Sequence, residues 1–131
     1  MILSLRTDAP LVHLALLDPE SHRVVAQDDW QADRTLARDL HAHILSMLKS
    51  QHLDWEDLRA VMVFQGPGSF TGLRIGVTVA NALGYSLGIP VIGTEDPDWQ
   101  TTALDHLEAS QNDRIVLPHY GAEANITQPK R

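Results

Sequence analysis

The stretch Gly66-Pro67-Gly68-Ser69-Phe70-Thr71-Gly72-Leu73-Arg74-Ile75-Gly76 decides how this 131-residue chain folds. Ala60 to Phe64, just before it, is a short continuous apolar run rich in β-formers, the pattern of a strand covered on both faces. A helical stretch follows it to about Leu87. Glycine permits positive φ and close backbone approach, and Pro67 fixes one φ, so the turn specifies one sharp path from strand to helix. Ser69 or Thr71 is placed to cap that helix.

Within the helix, Gly72, Gly76, Ala80, Gly84 and Gly88 recur every four residues and share one face, leaving a groove almost without side chains. Each interior glycine costs about 1 kcal/mol against alanine, so the stripe requires a neighbour that approaches closely. Either the chain's own sheet or a helix of a second chain can supply it. The second is taken as the expectation, with Gly72, Leu73, Gly76, Val77, Ala80 and Gly84 as the contact surface, joined by Leu40 and Ile44 of the preceding helix.

Outward from this core, Ile2 to about Thr7 reads as a first strand, Leu11 to Leu17 as a second, and Arg23 to Gln27 as a third that Asp28, Asp29 and Trp30 close. Leu36, Leu40, Ile44 and Leu48 mark an amphipathic helix from about Asp33 to Ser50. Asp54-Trp55-Glu56-Asp57 starts a short helical turn, and Pro90 to Gly93 gives a fifth strand. Trp99 to Glu108 is expected as one more helix and Arg114 to Leu117 as a short strand. The order is that of an α/β domain with a mixed five-stranded sheet whose βαβ part crosses over right-handedly.

The run Gly66 to Gly76, with Gly88-Ile89-Pro90-Val91-Ile92-Gly93 after it, resembles the signature of the bacterial TsaB (YeaZ) family of the tRNA threonylcarbamoyladenosine system. Ile2-Leu3-Ser4-Leu5-Arg6-Thr7-Asp8 stands where that family has a strand ending in Asp-Thr-Ser, so the likeness covers roughly the first 95 residues. It implies a ribonuclease-H-like half-domain of the actin/hexokinase (ASKHA) class over residues 1–110, with residues 111–131 a short C-terminal tail and the family's second domain absent. It also implies a non-catalytic scaffold that binds a TsaD-like catalytic subunit, with a TsaE-like ATPase as a further partner. A homodimer through the same groove is a further possibility. In such a system tRNA is engaged only indirectly, and ATP enters only at the level of the complex.

Composition is consistent with that expectation. The length suits one domain with its own core. A net charge of −7 disfavours a protein that holds RNA by itself, because Lys and Arg on phosphates supply most of such affinity. No cysteine is present, so disulfides and thiolate metal sites are excluded. The amino end is too short an apolar stretch for a signal peptide and no run reaches membrane-spanning length, which points to a cytoplasmic protein without membrane attachment.

The alternative function is an ATP-binding module that uses the Gly66 to Thr71 turn, with Gly66, Gly68, Ser69 and Thr71 cradling phosphate at a helix N-terminus. The turn lacks the third glycine of a dinucleotide fingerprint and the Gly-Lys-Ser/Thr of a P-loop. In ASKHA enzymes the first strand ends in an aspartate that holds the metal-nucleotide; here Arg6 takes that place, with Asp8 two residues on. His41 and His43 point in different directions on a helix and the other five histidines are solitary, so no metal site is expected. Ser69 lacks the Gly-x-Ser-x-Gly elbow, and no catalytic residue is assigned.

Overall fold

The computed structural model describes residues 1–120, without the side chain of Asp33. Five strands, β1 (Ile2–Arg6), β2 (Leu11–Leu17), β3 (Val24–Gln31), β4 (Ala60–Gly66) and β5 (Val91–Glu95), form one sheet in the order β3-β2-β1-β4-β5. β1, β2 and β3 make an antiparallel meander, while β4 runs parallel to β1 and β5 parallel to β4. The helices are α1 (Leu36–Ser50), entered through a 3-10 turn at Asp33–Thr35, α2 (Phe70–Leu87) and α3 (Trp99–Glu108). This is the α/β order expected from the sequence. No helix among the described residues is long and apolar enough to cross a membrane.

Alternation along the strands sorts the core into two layers. Leu3, Leu5, Leu14, Leu16, Val61 and Val63 face α1 and α2, packing on Leu40, Ile44, Val77 and Ala80. Ile2, Ala15, Met62, Phe64 and Ile92 face the other way, onto Trp99 and Ala103 of α3. β4 is thus covered on both faces, which is why its residues read as an unbroken apolar run. Each such Leu or Phe contributes about 2 kcal/mol by leaving water.

Two elements depart from the sequence reading. β3 continues through Asp28, Asp29 and Trp30 to Gln31 instead of closing at Gln27. It is an edge strand: Ala26 and Trp30 pack toward α1, with the Trp30 ring stacked 3.6 Å from His43, while Gln27, Asp29 and Gln31 are exposed. One polar face makes such a strand look like a turn. Residues 114–117 do not form a strand; residues 112–120 run back along the domain as a strap. Asn81 of α2 grips it with both amide atoms, Nδ2 donating to the Val116 carbonyl (3.0 Å) and Oδ1 accepting from its N–H (2.8 Å), and Val116 is buried. The last eleven residues of the expected tail, including Lys130 and Arg131, lie outside the described residues.

Candidate functional site

Ser69 caps α2, its hydroxyl accepting from the Gly72 N–H, so of the two residues suggested by the sequence it is the first that serves. The bare stripe of α2 lies on the chain's own sheet. A side chain at Gly72 would strike the Thr7 carbonyl, one at Gly76 the Thr7 hydroxyl, and one at Gly84 the Val91 side chain. Thr7, fully buried at the end of β1, donates from Oγ1 to the Gly72 carbonyl at 2.7 Å. Leu73, Val77, Ala80, Leu40 and Ile44 are likewise buried in the core. The expectation that Gly72, Leu73, Gly76, Val77, Ala80, Gly84, Leu40 and Ile44 form a surface for a second chain is therefore corrected: helix and strand of one chain approach so closely that the glycines serve this joint.

The glycine-rich turn is filled in the same way. Gly66 has no room for a side chain because the His119 carbonyl of the strap lies on it, and Gly68 is pressed against Asp8. Gly68 and Tyr120 form a parallel bridge, and Tyr120 lies 4.4 Å from Phe70, ring centre to ring centre. His119 Nδ1 stands 2.7 Å from Glu95 Oε2, and its N–H donates to the Gln65 carbonyl. Gly66, Gly68, Ser69 and Thr71 do sit together at a helix N-terminus; the strap and Asp8 pack on the two glycines, while Ser69 and Thr71 stay exposed.

Beside this turn, at the carboxyl ends of β1, β4 and β5, lies the crevice where open α/β sheets commonly bind ligands. Arg6 crosses it. Its guanidinium holds Asp8 through Nε (2.8 Å) and Nη2 (3.2 Å), and Asp96 through Nη2 (3.0 Å) and Nη1 (3.2 Å), while lying 3.8 Å above the centre of the Phe64 ring. Burial by itself would lower the Arg6 pKa; the hydrogen bonds to Asp8 and then Asp96 outweigh it and hold the guanidinium above its ordinary range. Fork-to-carboxylate pairing and stacking on an aromatic face are what guanidinium geometry suits. A metal-nucleotide does not fit these residues, because a fixed cation already neutralises both carboxylates that line the crevice. Asp8, considered as a replacement ligand, is a partner of Arg6.

Of the residues that shape this region, the sequence pointed to Arg6 and the glycines but missed Thr7, Asn81, Asp96 and Glu95. Asp96 and Glu95 carry no spacing signal, since they meet β1 and the strap only through the parallel register. Asn81 carried a weak one: a polar residue in a strongly apolar helix, half-buried, needs a partner.

What α1 and α2 present outward is different in kind. The two helices lie side by side on one face of the sheet. Their solvent faces carry Arg38, Ala42, Arg74, Thr78 and Ala82, with Leu45, Ile75 and Val79 half-buried behind them. The small residues Ala42, Thr78 and Ala82 leave a shallow surface that another helix can approach closely.

Comparison with known proteins agrees with the geometry. The family model described as "TsaD: tRNA N6-adenosine threonylcarbamoyltransferase" matches residues 30–110. An uncharacterized protein of Mycobacterium tuberculosis is 37% identical over 92 residues, which span 70% of this chain and 44% of that protein. The Bacillus subtilis tRNA threonylcarbamoyladenosine biosynthesis protein TsaB is 48% identical over 46 residues, 35% of this chain and 20% of the relative. The solved structure of YeaZ from Pseudomonas aeruginosa superposes with a TM-score of 0.65 at 27% identity, over 72% of this chain and 43% of that one. The chain spans less than half the length of these relatives.

Proposed function

The chain belongs to the TsaD family of tRNA N6-adenosine threonylcarbamoyltransferase-like proteins, in its TsaB (YeaZ) group, and from that membership we propose that it is a cytoplasmic, non-catalytic scaffold subunit for tRNA threonylcarbamoyladenosine formation. The observation that carries the non-catalytic part is Arg6, clamped between Asp8 and Asp96 in the crevice where a nucleotide would need a metal and free donors. The partner in this reading is a TsaD-like catalytic subunit, with a TsaE-like ATPase as a further member, so ATP is handled by the complex and tRNA is met through the partner. The contact surface moves from the buried stripe to the outer faces of α1 and α2, around Ala42, Thr78 and Ala82.

Light scattering on the purified chain, alone and mixed with the TsaD-like protein of the same genome, tests this reading. A 1:1 complex is expected, and displacement of a homodimer of the free chain would place both contacts on the same helices. No association at any concentration would sink the scaffold role. Magnesium-ATP calorimetry on the free chain is expected to give no binding heat; saturable binding would restore the nucleotide reading.

A further inference from the structure

The two edges of the sheet are treated differently. On β5, the outer backbone is sealed by the strap: Val91 N–H donates to Asn112 Oδ1 (3.0 Å), Gly93 N–H to Asp113 Oδ2 (2.9 Å), and the Asp113 N–H to the Val91 carbonyl (2.9 Å). Among the described residues, nothing comparable covers β3, the opposite edge. The Ala32 N–H donates to the Pro10 carbonyl (2.9 Å), continuing the β2–β3 ladder past the Leu11–Gln31 pair. Hydrogen-bonded and non-bonded pairs alternate along an antiparallel ladder, so Trp30, Asp28 and Ala26 turn their backbone groups toward β2, while Gln31, Asp29 and Gln27 turn theirs outward. Among the described residues those outward groups have no hydrogen-bond partner.

Natural sheets protect such edges with charged side chains, lysine above all, and with proline, bulges, short length or a covering element. β3 has eight residues and neither lysine nor proline; its protections are one register irregularity, opposite Leu16 and Leu17 at its start, and the acidic Asp28 and Asp29, which leave it open to a basic strand. On the α3 side of the sheet the same strand forms the rim of an open cleft of about 540 Å³ that runs inward over β2 and β1 to Arg6, Asp8 and Trp99, with Leu11, His13 and Val24 exposed next to Gln27 and Asp29. A strand added to β3 would thus gain main-chain bonds along the edge and lay every second side chain beside that cleft. Both carboxylates of β3 have partners in the fold, Asp28 in His43 (2.8 Å) and Asp29 in His13 (3.1 Å) and Gln27 Nε2 (3.1 Å); a basic side chain opposite either is still favoured over an acidic one. Two copies of β3 paired about Asp28 would set that aspartate against itself, which disfavours that register.

We propose that β3 is a docking edge for an extended, basic segment of another protein, bound by strand addition at Gln27, Asp29 and Gln31. This surface is separate from the outer faces of α1 and α2 and does not depend on the scaffold reading.

Fluorescence anisotropy with two labelled eight-residue peptides, one alternating Lys and Val and one alternating Glu and Val, tests it. The Lys-Val peptide is expected to bind and the Glu-Val peptide to bind at least tenfold more weakly. Gln27→Pro removes one outward N–H while leaving the β2 ladder intact, a change edge strands tolerate, and is expected to weaken the Lys-Val peptide at least tenfold with circular dichroism unchanged. Gln27→Ala keeps the backbone and is expected to change little. Asp29→Lys is expected to shift preference toward the Glu-Val peptide, which keeps the proposal testable should the proline variant fail to fold. Failure of the Lys-Val peptide to bind, equal binding of both peptides, or undiminished binding to a folded Gln27→Pro protein would overturn it. So would a dimer of the free chain that Gln27→Pro dissolves, because the edge would then belong to a second copy.

Discussion

The Thr7 hydroxyl donates to the Gly72 carbonyl at 2.7 Å and fills the space that a side chain at Gly76 would need, so one residue at the end of β1 fixes both the height and the tilt of α2 over the sheet. Everything placed by the carboxyl ends of β1 and β4, including the Arg6 clamp and the glycine turn, inherits its position from that joint.

Gly76→Leu is therefore expected to destabilise the free chain. Overpacking a close-packed joint costs about 1–3 kcal/mol, and the gain in helix propensity of about 1 kcal/mol offsets only part of it. Thr7→Ala should itself weaken the fold, yet in the double variant part of the Gly76→Leu loss should be recovered, since the hydroxyl that collides is gone. Chemical denaturation of the four proteins reads the coupling. A folded, undestabilised Gly76→Leu chain that no longer binds a partner would return the stripe to the surface.

The strap is held by side chains of Asn81, Asn112 and Asp113 and by few main-chain bonds, so it should open before the domain does. Asn81→Ala removes both hydrogen bonds to Val116 at once, at a cost of about 1–3 kcal/mol for buried groups left without partners. Native-state hydrogen exchange is expected to lose protection at Val116 and His119, while β1 and β4 amides keep theirs. Equal loss across the sheet would show that the strap is no separate unit.

Acid should act through exposed turns. Asp18 accepts from the Ser21 and Glu20 N–H groups (2.8 and 2.9 Å), which hold its pKa below the ordinary carboxylate value; Asp54 is lowered by the Trp55 N–H and then by Lys49. For a carboxylate whose folded pKa is depressed, the stabilisation is present above the unfolded pKa, about 3.9, and fades as pH falls through the folded one. Urea midpoints measured from pH 6 downward should decline in that window. Asp18→Asn keeps an acceptor that does not titrate, so its profile should be flatter there; an identical acid limb would refute the assignment.

The sequence disclosed the fold wherever a period had one physical cause. Ala60 to Phe64 is apolar throughout because both faces of β4 are buried, and Leu36, Leu40, Ile44 and Leu48 repeat because one side of α1 meets the sheet. The spacing of small residues in α2 was equally legible, but spacing names a close neighbour without saying which, and Thr7, 65 residues before Gly72, gave no sign of being it. β3 was cut short because its exposed face carries Gln27, Asp29 and Gln31. The strap was not legible, since it has no period and is tied by single side chains of Asn81, Asn112 and Asp113.

Ala80 and Ala82 differ by two positions on one helix, and that difference separates core from surface. Ala80 is fully buried against the sheet, whereas Ala82 is exposed on the outer face of α2 near Thr78. Ala80→Arg places an unpaired charge in the core and is expected to unfold the free chain, by several kcal/mol. Ala82→Arg costs the fold within about 0.5 kcal/mol, as surface changes do, but adds a long cation to a surface of small residues that a partner helix must approach closely. Titration calorimetry with the TsaD-like protein should then show affinity reduced at least tenfold for Ala82→Arg and for Thr78→Arg, with melting temperatures unchanged. Full affinity in both folded variants would remove the outer faces of α1 and α2 as the contact, and the scaffold would have to bind through another surface.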